Sequence, residues 1–87
     1  MTLDEAKEKI YRMLCEECIK KNDPKARLEC QPLATKLNIP PSLFNQAIES
    51  LTKHDLGVKV GIVVAYDIEL GPRGRADCGF KEPTSQT

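Results

Sequence analysis

The chain has 87 residues, which is enough for one domain, since two independent cores would need roughly 100 residues each. Hydrophobic residues make up 40% and charged residues 30%, a balance typical of a folded globular domain and not of a disordered chain. The 13 basic and 13 acidic residues cancel. This excludes a generally basic nucleic-acid coat protein, because such binding needs many neutralised phosphates, but it leaves room for a local basic patch.

The sequence contains no signal for a membrane-spanning, secreted or catalytic protein. No apolar run approaches the ~18 residues of a membrane span, and the charged N-terminus does not resemble a signal peptide. His54 is the only histidine, and no nucleophile or carboxylate motif pairs with it. We therefore expect a cytoplasmic protein with no membrane partner, no cofactor and no enzymatic activity.

The first segment has the pattern of an amphipathic helix. Apolar side chains recur on one arc from Leu3 to about Lys21. Thr2 and Glu5 have the spacing of a capping box at its start, and the residues 22–24, Asn-Asp-Pro, end it.

Two shorter helices are predicted next. The link at 22–31 contains Leu28 and has room for a minimal strand. A second helix is expected at 32–37, beginning at Pro32 and ending at Asn38 in the left-handed conformation. A third is expected from Pro41 to about His54, because apolar residues recur there with helical spacing.

The spacing of the apolar residues then changes from the period of a helix to the period of two that is typical of a strand. Every even position from Val58 to Leu70 is apolar, which indicates extended structure. One strand of that length would be unusual, so we expect a hairpin that turns near Gly61, with a single bent strand as the alternative. Residues 63–65 form an apolar stretch that is able to pair with another subunit.

The chain after the strands is rich in glycine, proline and charge. Residues 71–75, Gly-Pro-Arg-Gly-Arg, fit either a surface turn or a phosphate-binding or minor-groove arm, and both interpretations stay open. Residues 79–87 are polar with little to bury, so we expect a disordered tail after a domain that spans 1–78.

Two motifs in this order resemble the winged helix-turn-helix proteins. Residues 33–48 have the small residue, the apolar positions and the turn residue of a helix-turn-helix, with Ala34, Leu37 and Asn38 at the expected places. Residues 66–75 resemble the closing strand of winged helices, with Gly71 where threonine is common. The resemblance covers about residues 3–75. It implies an α+β fold of three helices followed by a short β-hairpin or long strand.

The resemblance implies DNA binding, with the third helix in the major groove and the hairpin along the backbone or minor groove. Asn45 and Gln46 carry amide edges that suit adenine, and Ser42 lies where a phosphate would meet the helix. The residues that this interpretation assigns to DNA are Lys36, Ser42, Asn45, Gln46, Lys53, Lys59, Arg73 and Arg75. A small transcriptional regulator that binds double-stranded DNA is therefore the leading hypothesis.

A winged-helix module that binds a protein partner and no DNA is the alternative. The predicted third helix has no arginine, and Glu49 and Asp55 outweigh Lys53 in charge. A homodimer is expected, because twofold pairing doubles the base contacts of a small domain. The candidate dimer surfaces are Tyr11, Ile19 and the stretch at 63–65.

The four cysteines are expected to be reduced and packed as small hydrophobic residues, because a cytoplasmic chain keeps its thiols reduced. Cys15 and Cys18 share one helix face, and Cys30 is expected near the end of that helix. With Cys78, or with His54, these thiols form a less favoured set of ligands for zinc or an iron–sulfur cluster, which would make the protein a metal or redox sensor on the same fold. A disulfide framework is likewise the less favoured interpretation.

Overall fold

A computed structural model describes residues 1–62 and 65–80 and has an α+β fold, as predicted. In the described part of the chain, four helices accompany one three-stranded antiparallel sheet. The elements in chain order are α1 (Leu3–Lys21), β1 (Arg27–Glu29), α2 (Cys30–Leu37), α3 (Pro41–Lys53), β2 (Gly57–Ile62), β3 (Ala65–Leu70) and α4 (Pro72–Asp77).

The first helix has the bounds and the caps that the sequence predicts. The Thr2 hydroxyl accepts a hydrogen bond from the Glu5 backbone N–H, and the Glu5 carboxylate accepts one from the Thr2 backbone N–H. Asn22 ends α1 with a φ of 52° in the left-handed region. The buried stripe of α1 packs against α3 and brings its apolar arc into the core.

The second and third helices meet through a tight turn. Asn38 has a φ of 57° and ends α2, as predicted. Helix α2 begins at Cys30 and not at Pro32, because the chain leaves β1 directly into the helix and the proline is tolerated within the first turn. Helix α3 begins at Pro41, and His54 caps its C-terminal end.

The sheet has the order β1-β3-β2, and its hairpin turns later than predicted. Antiparallel pairing of β2 with β3 continues past Gly61 to Ile62 opposite Ala65, so the expectations of a turn near Gly61 and of one long strand are both wrong. Gly61 lies inside β2 with a φ of 121°, a conformation that favours glycine. The predicted pairing stretch at 63–65 lies outside the described residues, apart from the backbone of Ala65.

The apolar residues of the period-two pattern do not all lie on the same face of the hairpin. Ile68 and Leu70 of β3 are fully buried. The direct partner of Ile68 is Lys59, so Lys59 lies on the core-side face of the sheet while Val58 and Val60 lie on the other. Val58 is accordingly 40% exposed.

Residues 71–75, predicted as a turn or an arm, instead begin the short helix α4. Backbone N–H groups of Arg73 and Gly74 donate to the Asp55 carbonyl oxygen, which fastens α4 to the loop after α3. A Cβ at Gly74 would clash with the Leu56 carbonyl oxygen, so this close approach requires glycine.

The core lies between α1, α3 and the sheet. Phe80, which the sequence places in a disordered tail, is half-buried and packs against this core; residues 81–87 lie outside the described part. Among the described helices, none combines the length and apolar character that crossing a membrane requires. The largest fully buried side chains among the described residues are Ile10, Leu14, Cys18, Ile48, Leu51, Ile68 and Leu70.

Candidate nucleic-acid interface

One face of α3 is a polar stripe that the core does not use. Phe44, Ala47, Ile48 and Leu51 are buried, which leaves the opposite side of the helix in solvent. The exposed residues have the spacing of a single helical face. We call this set the α3 stripe: Ser42, Asn45, Gln46, Glu49 and Lys53.

The amide groups of the α3 stripe are only weakly engaged. The Gln46 amide nitrogen lies 3.5 Å from the Ser42 hydroxyl, at the limit of a hydrogen bond. The Tyr66 hydroxyl donates to the Asn45 amide oxygen over 3.4 Å. Both contacts are exposed and long, so both side chains are able to turn towards a ligand without giving up a strong bond.

Lys59 of β2 lies beside the α3 stripe because of the strand register. Its pairing with Ile68 directs it to the core-side face of the sheet, where its ammonium group lies 5.3 Å from the centre of the Tyr66 ring. This is a cation–π distance. Burial raises the pKa of Tyr66, and nearby Cys30 and Glu49 raise it further, so the phenol stays protonated and donates to Asn45.

Tyr66 is the residue of this site that sequence reasoning missed. It belongs to the even apolar positions of the strand pattern, and that pattern assigns it to the core. Its aromatic character and its place near the start of β3 were the available signals. The contact with Asn45 depends on the packing of α3 against the sheet, and no local pattern indicates it.

Lys36 and Arg73 lie away from the α3 stripe. Lys36 is near Glu17 of α1: the pKa of Glu17 is lowered first by the hydrogen bond from Lys21, and also by the charges of Lys20 and Lys36. Arg73 lies in α4, close enough to Tyr11 of α1 to act on its hydroxyl. The eight residues assigned to DNA therefore do not form one surface.

Arg75 is engaged within the fold. Its guanidinium donates to the Leu70 carbonyl oxygen over 3.1 Å in a half-buried position. The first N–H groups of α4 donate to Asp55, as described above, and are not open to a phosphate. Residues 71–75 therefore do not form an anion-binding arm in this structure.

Tyr11, expected on a dimer surface, is half-buried and packs against the core. Its hydroxyl donates to the Gly74 carbonyl oxygen over 3.2 Å, and burial followed by the Asp77 charge raises its pKa. Ile19 remains 60% exposed. Of the candidate dimer surfaces, Ile19 is the one that the described structure leaves open.

The cysteines divide into two pairs. Cys15 and Cys78 form a disulfide with Cα atoms 5.7 Å apart, so the expectation that all four are reduced is wrong for these two. It failed because α4 folds back onto α1, a non-local contact. Cys18 and Cys30 are free and buried, as expected of packed thiols.

The structure does not bring the four candidate metal ligands together. Two are joined in the disulfide, and His54 is exposed at the end of α3. Within residues 1–62 and 65–80, no group of three or more histidine, cysteine, aspartate or glutamate side chains is arranged to hold a metal ion.

Comparison of the chain with known proteins identifies no relative. No protein-family model, curated protein or solved structure matches the chain.

Proposed function

We propose that this protein is a winged-helix transcriptional regulator that binds duplex DNA with α3. The order of elements supports the winged-helix assignment: three helices, with a minimal strand between the first two, precede an antiparallel hairpin. The turn through Asn38 joins α2 and α3 as a helix-turn-helix requires.

The observation that carries the proposal is the α3 stripe. Asn45 and Gln46 are exposed on the outer face of the helix, and an amide side chain in the major groove is able to bind adenine bidentately. Ser42, one turn earlier, is placed to contact a phosphate. The opposite face of α3 makes the core contacts, so these exposed amides are not needed for packing of the helix.

Lys53 and Lys59 supply the positive charge next to these amides, and Lys36 and Arg73 lie further off. Arg75 is left out of the proposed interface because its guanidinium binds Leu70. Few cations face the duplex, so one domain makes few phosphate contacts and its affinity depends only modestly on salt. We propose a homodimer with Ile19 at its contact, because a second copy doubles those contacts.

The test is an amide NMR titration of the full chain with a mixed-sequence duplex, first at low and then at moderate salt. We expect shifts concentrated at residues 42–49 and at Lys59 that fade as salt rises. An absence of shifts at low salt would reject DNA binding.

Two kinds of variant distinguish recognition of the DNA bases from electrostatic attraction to the DNA backbone. Replacing Asn45 and Gln46 with alanine should reduce discrimination between sequences, by about 1–3 kcal/mol for each bidentate amide–adenine interaction that the substitution removes. Lys53→Ala or Lys59→Ala should weaken binding to every duplex and reduce the salt slope by about one. Lys20→Ala, an exposed lysine of α1, is the matched control and should change neither quantity.

A module that binds a protein partner is the second candidate. The specific observation in its favour is Glu49, which lies within the α3 stripe and would face the phosphates. A titration without DNA shifts, followed by shifts at the same stripe on addition of a protein ligand, would establish this alternative.

A further inference from the structure

Strand β2 lies at the edge of the sheet. The sheet order is β1-β3-β2, so β3 pairs with one side of β2, and no strand in the described part of the chain pairs with its other side. A free strand edge presents unpaired backbone N–H and C=O groups, which are able to bond to an added strand. The register of β2 against β3 decides which residues present these groups.

The hydrogen bond of Gly71 fixes the direction of the backbone groups along β2. Its N–H donates to the Leu56 carbonyl oxygen over 3.1 Å, and these two residues continue the β2–β3 register by one step. Hydrogen-bonded and non-hydrogen-bonded pairs alternate along an antiparallel ladder. The even-numbered residues of β2 therefore bond to β3. The odd-numbered residues, Gly57, Lys59 and Gly61, direct their backbone groups to the free edge.

Two of these three residues are open to solvent. Lys59 and Gly61 are exposed, whereas Gly57 is buried. Between them, Val58 and Val60 direct their side chains to the sheet face away from the core, where Val58 is exposed and Val60 is half-buried. The free edge thus combines open backbone groups with apolar side chains, and Lys59 is the only charged residue of β2.

A second copy of β2, antiparallel to the first, fits this edge in one register. When Val60 lies opposite Val60 of the second copy, Lys59 lies opposite Gly61 and Gly61 opposite Lys59. The backbone groups that then bond across the contact belong to the two exposed residues of the edge. The two Val60 side chains form a direct apolar pair at the twofold axis.

The charge of Lys59 disfavours a register shifted by one residue. A twofold axis at Lys59 would oppose two lysines directly, and it would pair the buried Gly57 with Gly61. An inward-directed lysine ordinarily discourages pairing at a strand edge. With the axis at Val60, each Lys59 faces a glycine, which has neither charge nor side chain. The identical edge of a second copy therefore complements β2.

We infer that the free edge of β2 pairs with β2 of a second copy about a twofold axis at Val60. The two three-stranded sheets then form one continuous sheet of six strands. A contact of two short strands is small, so its dissociation constant should be on the order of 100 μM. The inference depends neither on DNA binding nor on the contact proposed at Ile19 of α1.

The first test is cross-linking of introduced cysteines with diamide, which takes two electrons and two protons from a pair of thiols as their disulfide forms. Val60→Cys should give a cross-linked dimer, because direct partners at a non-hydrogen-bonded position have Cα atoms about 4.5 Å apart. Val58→Cys, on the same strand and face, is the matched control. Its two copies would lie about 13 Å apart, too far for a disulfide.

Peptide mass spectrometry identifies the bond between the two introduced cysteines and distinguishes it from exchange with the Cys15–Cys78 disulfide. Equal cross-linking of the Val60→Cys and Val58→Cys variants would overturn the inference, because a register centred on Val60 separates them. An absence of cross-linking in Val60→Cys would overturn it as well.

The second test is analytical ultracentrifugation of Ile19→Ser, which removes the contact proposed at Ile19. This variant should still associate between about 20 μM and 1 mM. Adding Val60→Lys should weaken association more than tenfold, because two ammonium groups would be directly opposed. Adding Val58→Lys instead, which opposes no like charges, should preserve most of it. Amide spectra confirm that each variant is folded.

An Ile19→Ser chain that remains a monomer at 1 mM, or equal loss of association in the two lysine variants, would overturn the pairing of β2. Failure of the Ile19 contact gives a different result, because the wild type and Ile19→Ser would then associate to the same extent.

Discussion

The two ends of α3 differ in how their polar groups are used. Near its start, Asn45 and Gln46 have only long, exposed contacts. Beyond its C-terminal end, α4 is held by backbone hydrogen bonds to Asp55 and by the bond of Arg75 to Leu70. The Tyr11 hydroxyl and the disulfide complete that attachment. Polar groups that stabilise the fold have short, partly buried hydrogen bonds, whereas the amides available to a ligand have only long, exposed ones.

The largest expected effect on stability comes from removal of the disulfide that holds α4. The bond joins positions 63 residues apart, and its removal in Cys15→Ser/Cys78→Ser should lower the free energy of unfolding by about 4 kcal/mol. Urea unfolding measures the change. A reducing agent should destabilise the wild type by the same amount and leave the double variant unaffected. A wild-type stability that does not respond to reduction would mean that α4 is held without the bond.

A smaller decrease in stability is expected from Gly74→Ala. The added methyl group meets the Leu56 carbonyl oxygen, so α4 must shift at a cost of about 1–3 kcal/mol. Ala76→Ser, an exposed position of the same helix, is the control and should stay within about 0.5 kcal/mol. If the two variants unfold at the same urea concentration, the close packing of α4 on the α3–β2 loop is not a source of stability.

The smallest effect on stability should come from the α3 stripe. Asn45→Ala/Gln46→Ala should change the free energy of unfolding by no more than about 0.5 kcal/mol, because neither side chain is buried. Ile48→Ala on the buried face of the same helix should cost about 2–5 kcal/mol. A large decrease in the free energy of unfolding of the amide variant would show that the α3 stripe stabilises the fold.

The sequence predicted those parts of the fold that local signals determine. The capping box at Thr2, the left-handed Asn38 and the apolar periodicities placed all three long segments of helix, because each signal acts within one or two turns. The residues of the α3 stripe followed from the same periodicity, since the exposed face is what remains when the core face is assigned.

The remaining features depend on contacts between distant residues. The turn of the hairpin is set by the register of β2 against β3, and the face of Lys59 follows from that register. The disulfide and the docking of α4 each need two distant segments to meet in space. No spacing along the chain indicates such long-range contacts, so the sequence-based prediction assigned Arg75 to DNA and expected Cys15 to be a packed, reduced thiol.

The Cys15–Cys78 bond also changes the covalent topology of the molecule. It closes most of the described chain into a ring from which only the two end segments extend. One peptide-bond cleavage anywhere inside the ring opens it without releasing a fragment, so a nicked molecule keeps its two pieces joined until the bond is reduced. A surface loop of this domain is therefore able to be cut while both halves remain tethered in place.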